Sequence, residues 1–189
     1  MPDRAQPAPD DSELARAARA GSHAAFTTLV GRHEVGLFRF LRMRVGDPEL
    51  AEDLTQEAFV RCWTKLHRFD PTRPFSAWLY TLAANVATNR LRRRRRDSDS
   101  LDQAAAPNAD PAEHAARKDH AENVWDVVAR ALPEDLRSAM WLFYAEGRSA
   151  AAVGEILGRS EGAVRIALFR ARARLAPLLI DAELSLEAR

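Results

Sequence analysis

Apolar residues recur at spacings of three and four along nearly the whole chain, the period of amphipathic helices, and no segment alternates apolar and polar residues between turn formers as a strand would. A first short helix is expected from Asp10 or Asp11 to Gly21. Ser22 can cap a second, which carries Phe26, Leu29, Val30, Leu37, Phe38, Leu41 and Val45. Asp47-Pro48 reads as an N-cap followed by proline at the first helical position, where its missing N–H costs nothing. The third helix then runs to about Leu66, with Leu50, Leu54, Ala58, Cys62 and Leu66 as a buried stripe. Asp53, Gln56, Glu57 and Val60 fall on its other face. A turn-rich loop, His67 to Pro74, leads to a fourth helix from Phe75 to about Arg96. Phe75, Trp78, Leu79, Leu82 and Val86 point inward, and Tyr80, Thr81, Ala84, Asn85, Thr88 and Asn89 lie elsewhere on its surface.

Periodicity weakens over residues 97–118, where Ser98, Ser100, Pro107 and Pro111 read as a flexible linker, with a helix possible from Pro111. Beyond it, Val124, Trp125, Val128 and Leu132, then Leu136, Met140, Leu142 and Phe143, mark helices of a second unit. A short helix from Ser149 to Leu157, a turn at Gly158-Arg159-Ser160 and a helix from Glu161 follow. Val164, Leu168, Ala171 and Leu175 are inside, and Arg165, Arg170, Arg172 and Arg174 are outside. Two helices joined by a short glycine-containing turn, the second one basic, are what a helix-turn-helix needs to enter a major groove. The expected fold is all-α, with two small helical domains at 22–96 and 119–189. A tail and short helix at 1–21 precede them, and the linker at 97–118 joins them.

The net charge of +1 hides strong segregation. Residues 61–96 hold ten Lys/Arg and one acid, ending in five arginines from Arg92 to Arg96, whereas 97–122 hold seven acids and two bases. A basic stretch before an acidic tether suggests a polyanion partner, although a solvated helix end carries the same pattern. On the fourth helix, aromatic and amide groups beside arginines could stack on unpaired bases, read base edges and hold phosphate. Cys62, the single cysteine, excludes an intrachain disulfide, and no Cys/His cluster has metal-ligand spacing. No apolar run of ~18 residues could span a bilayer, and Met1 to Asp11 lacks the apolar core of a signal peptide, so a cytoplasmic protein without membrane insertion is expected.

These residues resemble a known family over roughly 22–96 and 124–180. Asp47-Pro48-Glu49-Leu50-Ala51-Glu52-Asp53-Leu54-Thr55-Gln56-Glu57-Ala58-Phe59 is similar to the polymerase-binding block of the extracytoplasmic-function (ECF) sigma factors, the minimal two-domain members of the sigma-70 superfamily. Arg68-Phe69-Asp70-Pro71, then Phe75-Ser76-Ala77-Trp78-Leu79-Tyr80, Asn85 and Leu91-Arg92-Arg93-Arg94, is similar to the block that opens and reads the -10 element. Leu132-Pro133, Arg137, Gly147, Leu157-Gly158, Val164-Arg165 and Phe169-Arg170-Ala171-Arg172 resemble the -35 reader. The resemblance implies that Asp53, Gln56, Glu57 and Val60 dock on the clamp helices of the polymerase largest subunit, with a second contact at the flap. It implies a -10 surface of Arg68, Phe69, Phe75, Trp78, Tyr80, Asn85, Thr88, Asn89, Arg92 and Arg93, the Arg68 to Pro74 loop helping to form a pocket for a flipped base. A -35 surface of Ser160, Ala163, Arg165, Ile166, Phe169 and Arg170, an anti-sigma partner released by stress, and no cofactor or metal complete the expectation.

The sequence departs from the family where Ile166 and Ala167 follow Arg165 in place of a polar and a basic residue, and where Ala150 and Ala152 stand for larger or acidic ones. Two other classes remain open at this point. A helix-turn-helix repressor or activator would leave the acidic face of the third helix idle. An enzyme would need a Gly-rich phosphate loop, a Ser/His/Asp arrangement or a metal set; none is found, and His23, His33, His67, His114 and His120 are scattered.

Overall fold

The computed structural model of the 189-residue chain describes residues 9–101 and 124–187. Eight α-helices follow one another in these segments: α1 (Asp11–Arg19), α2 (His23–Val45), α3 (Pro48–Lys65), α4 (Phe75–Leu101), α5 (Val124–Ala131), α6 (Glu134–Met140), α7 (Ala150–Leu157) and α8 (Glu161–Glu187). No strand occurs among the described residues.

Helix starts follow the capping residues in the sequence. Asp10 Oδ1 accepts from Glu13 N at 2.7 Å while Glu13 Oε2 accepts from Asp10 N at 3.0 Å, a reciprocal capping box. Asp47 Oδ1 accepts from Glu49 N and Leu50 N ahead of Pro48, and Ser22, Ser149 and Ser160 each accept a backbone N–H from their helix's first turn. Helix α2 ends on Gly46 in the left-handed region (φ 78°), where a side chain would be strained.

Helices α1 to α4 form one bundle, with Leu29, Leu37, Phe40, Leu41, Leu54, Cys62 and Leu79 fully buried. All five residues of the expected α3 stripe are inside it. Helices α5 to α8 form a second group around Val128, Leu142, Val153, Val164 and Ala171. Between α6 and α7 a π-helical turn, Trp141–Ala145, closes with Glu146 N donating to Trp141 O at 3.1 Å. This wider turn sends Glu146 and Arg148 back toward the first group.

Three expectations need correction. Helix α4 does not stop at Arg96 but continues to Leu101, because arginine is a good helix former and no proline intervenes before Pro107. The expected linker therefore begins later, and the helix near Pro111 lies outside the described residues. Tyr80 and Ala84, read as surface residues, are buried, since the second helical group packs on α4 and α2. This packing between the two groups is the feature the helical pattern did not announce.

Candidate polymerase and nucleic-acid interface

On α3, Asp53, Gln56, Glu57 and Val60 all face outward, and Val60 is 63% exposed. Glu57 pairs with Arg61 one turn on at 2.6 Å. Asp53, with Asp47, Glu49 and Leu50, lines one wall of an open cleft of about 530 Å³ whose other wall is Arg90, Arg93 and Arg94 of α4. The acidic face and the arginine run are thus neighbours, joined at the rim by a 4.0 Å contact between Arg94 and Asp47.

Along α4, Asn85, Asn89, Arg92, Arg93 and Arg96 are exposed at helical spacing and make one continuous polar stripe. Thr88 is half-buried beside it. Its hydroxyl donates to Ala84 O at 2.7 Å and accepts from Arg44 Nη2 at 2.9 Å. The loop before α4 is held by an Asx turn, in which Asp70 Oδ1 accepts from Thr72 N and from the Thr72 hydroxyl. Those donors hold the Asp70 carboxyl below the ordinary carboxylate range. Phe69 and Phe75 are buried and pack edge-on at 5.5 Å, and half-buried Trp78 leans on both. Of the ten residues expected at a -10 surface, Phe69, Phe75 and Tyr80 are core side chains. Arg68, Asn85, Asn89, Arg92 and Arg93 are exposed, and Trp78 and Thr88 are half-buried.

Tyr80 is tied to the second helical group, which sequence alone did not reveal. Its ring packs against Phe40 at 5.3 Å, its hydroxyl is hydrogen-bonded to Glu146, and the Arg148 guanidinium lies 5.3 Å above the ring. Burial first, and the Glu146 charge second, push the phenol pKa up. Gly36 leaves the room for this, because a Cβ there would stand 2.9 Å from the Tyr80 hydroxyl. Other contacts among the described residues join the groups: Arg44 to Glu134 at 2.9 Å, Arg148 to the Ser76 hydroxyl at 2.9 Å, Arg73 to Glu155 at 2.8 Å, and Arg137 Nη2 donating to Arg44 O at 3.4 Å. Among the described residues, the buried Nε atoms of Arg44, Arg137 and Arg148 have no hydrogen-bond partner. The contact between the groups thus combines a shared apolar cluster with buried polar atoms left unsatisfied, a feature of separable domain contacts.

Helices α7 and α8 form the expected helix-turn-helix. Gly158 turns at φ 66° and its N–H caps Gly154 O. Gly154 itself faces the turn so closely that a Cβ would meet Arg159 O at 2.6 Å. Ser160, Ala163, Arg165, Ile166, Phe169 and Arg170 are all exposed. Ala167, grouped with Ile166 from the sequence, is instead buried at 5%, so a small residue there serves packing. Ala150 is buried as well, and small residues at the start of α7 let it approach α4. Among the described residues no group of three or more His, Cys, Asp or Glu side chains could hold a metal ion, and no helix is long and apolar enough to cross a membrane.

Comparison with known proteins matches the two helical groups to two families in this order. Sigma-70 region 2 covers residues 29–97 and Sigma-70 region 4 covers residues 126–175. The RNA polymerase sigma-H factor of Pseudomonas aeruginosa is 32% identical over 91% of this chain and 97% of its own length. The chain belongs to the sigma-70 family, among its ECF members. A probable RNA polymerase sigma factor of Xanthomonas campestris, RfaY, is 35% identical over 67% of this chain, which spans only 33% of that longer protein. Among solved structures, the sigma factor RpoE in complex with the anti-sigma factor NepR, from Bartonella quintana, superimposes with a TM-score of 0.68 at 26% identity, over 82% of this chain and 96% of that one.

Proposed function

We propose that this ECF sigma factor binds bacterial core RNA polymerase and directs it to promoters whose -10 element it opens and whose -35 element it reads. The observation that carries the proposal is one fold presenting three exposed surfaces of the right chemistry, the first two side by side. An acidic and apolar face on α3 suits a cationic protein partner. An amide and arginine stripe on α4 suits a single strand, the arginines holding phosphate while amides meet base edges. The exposed helix of a helix-turn-helix, α8, suits a major groove. Domain 22–96 would carry the first two tasks and domain 119–189 the third. The part of 97–118 that follows α4 would make the acidic connection through the polymerase, and the flap would hold the second domain.

Opening needs no covalent chemistry, since contacts to extruded bases offset the cost of unpairing. The site would lie in the cytoplasm, where DNA and polymerase are. The Bartonella quintana relative is bound to an anti-sigma factor, which supports inhibition of this chain by a partner of that kind.

The test is binding of the purified chain to core polymerase, followed by permanganate footprinting on promoter fragments. Reactive thymines that appear only with both proteins present are expected. Binding to duplex DNA alone, with no affinity for core, would overturn the proposal and leave a conventional helix-turn-helix regulator.

A further inference from the structure

The reading face of α8 is apolar, which is unusual for a surface meant for a polyanion. At about 100° per residue, Gly162, Ile166, Phe169 and Ala173 fall within an arc of about 60° and form one strip along the helix. Ile166 is 54% and Phe169 65% exposed, and both keep their side chains off the core formed by Val164, Ala167, Leu168 and Ala171. Arginines border the strip on both sides, Arg165 and Arg172 on one flank and Arg170 and Arg174 on the other. Two of these are already oriented. Arg165 donates twice to Glu161 Oε1, at 2.6 and 3.0 Å, and Arg172 Nη1 donates to the Tyr144 hydroxyl at 2.9 Å.

A helix about 10 to 12 Å across fills a major groove about 12 Å wide, so flanking cations meet the phosphates of the two strands while the central strip meets base edges. Near its start the strip has no side chain at Gly162, where a Cβ would meet nothing within 4 Å. The backbone can therefore approach the bases closely, and Ile166 is the first bulky group to reach them. Neither Ile166 nor Phe169 has a hydrogen-bonding atom in its side chain. The one apolar feature on a base edge in that groove is the C5-methyl of thymine.

The geometry points to Ile166, backed by Phe169, as a reader of a thymine methyl in the -35 element, so that specificity at that base pair comes from apolar contact. The inference rests on the proposed sigma function. Reconstituted polymerase carrying the full chain would be selected on duplexes with a randomised -35 segment. Each thymine of the enriched sequence would then be replaced by deoxyuridine, which removes the methyl group alone.

A position invariant for thymine, at which deoxyuridine weakens binding about fourfold, is expected from the loss of one buried methyl. With Ile166→Ser the thymine and deoxyuridine duplexes should bind equally, while core binding and helix content stay unchanged because the side chain is on the surface. Enriched sequences that tolerate deoxyuridine throughout, or an I166S polymerase that retains the methyl preference, would overturn the inference and leave the sigma function standing. No sequence enrichment in the presence of core would overturn both.

Discussion

Removing the carboxylate of Glu134 should loosen the contact between the two helical groups by a measurable amount. Arg44 reaches from α2 to Glu134 on α6 at 2.9 Å; its side chain is 10% exposed and that of Glu134 26%. Burial pushes the Arg44 guanidinium pKa down, and the Glu134 charge opposes that shift. Removing one partner of a fully buried pair costs about 3 to 5 kcal/mol. The remaining exposure of Glu134 reduces this to about 2 kcal/mol, because water can reach the orphaned cation. That energy acts only on the closed arrangement, since an opened chain hydrates Arg44. Glu134→Ala should therefore shift the closed-to-open ratio about 30-fold toward open. Dyes on Thr64 and Ala151, exposed helical positions in the first and second groups, would report this by single-molecule energy transfer. A double-mutant cycle with Arg44→Ala isolates the pair. A coupling energy near zero, with both single variants folded, would refute the reasoning.

Other substitutions probe single features. Asp53→Arg combined with Glu57→Arg should weaken core polymerase binding at least tenfold in a fluorescence titration, with unchanged helical circular dichroism, since both side chains are exposed. Gly154→Ala should destabilise the second helical group by about 1 to 3 kcal/mol in a denaturant titration, because its methyl would collide with a backbone carbonyl at 2.6 Å rather than a movable side chain. Burial raises the Cys62 thiol pKa to about 12, so a thiol reagent at pH 8 should modify it only at the rate of unfolding, and fast labelling of folded chain would contradict the packing. Asp11 loses solvation by burial, yet its bonds to Arg32 at 2.9 Å and His33 at 2.6 Å outweigh that and hold its carboxyl below 3.8. Its contribution is complete above about pH 4 and disappears as pH falls through the lowered value. Asp11→Asn should accordingly lower thermal stability at pH 6, and by progressively less as pH is brought below 3.8.

Helix existence and helix starts were legible because their causes are local. The capping side chains Asp10, Ser22, Asp47, Ser149 and Ser160 bond to N–H groups within three residues, so the sequence contains both partners. The α3 stripe and the helix-turn-helix followed from period and glycine placement in the same way. What escaped was long-range. Tyr80 sits at a helical position that could face water, and Phe40 of α2 together with Glu146 and Arg148 of the second group covers it. Ala167 looked like a lost DNA contact because family comparison counts positions, whereas the hydrophobic period of Val164, Leu168 and Ala171 leaves it on the inner side. Clues did exist in Gly36 and Gly154, whose missing side chains mark the two closest approaches.

The 2.8 Å bridge between Arg73 and Glu155 also sets a length problem. Elements centred near -10 and -35 lie about 25 base pairs apart, or ~85 Å along B-form DNA. Groups that touch at this bridge cannot occupy both at once. The stretch from Leu101 to Val124 reaches at most about 80 Å when fully extended. On the proposed promoter reading, the length of this connection, together with the span of the two groups themselves, sets an upper limit on the spacing between the two elements. Beyond that limit a promoter would be lost to this chain even when both of its sequences are perfect.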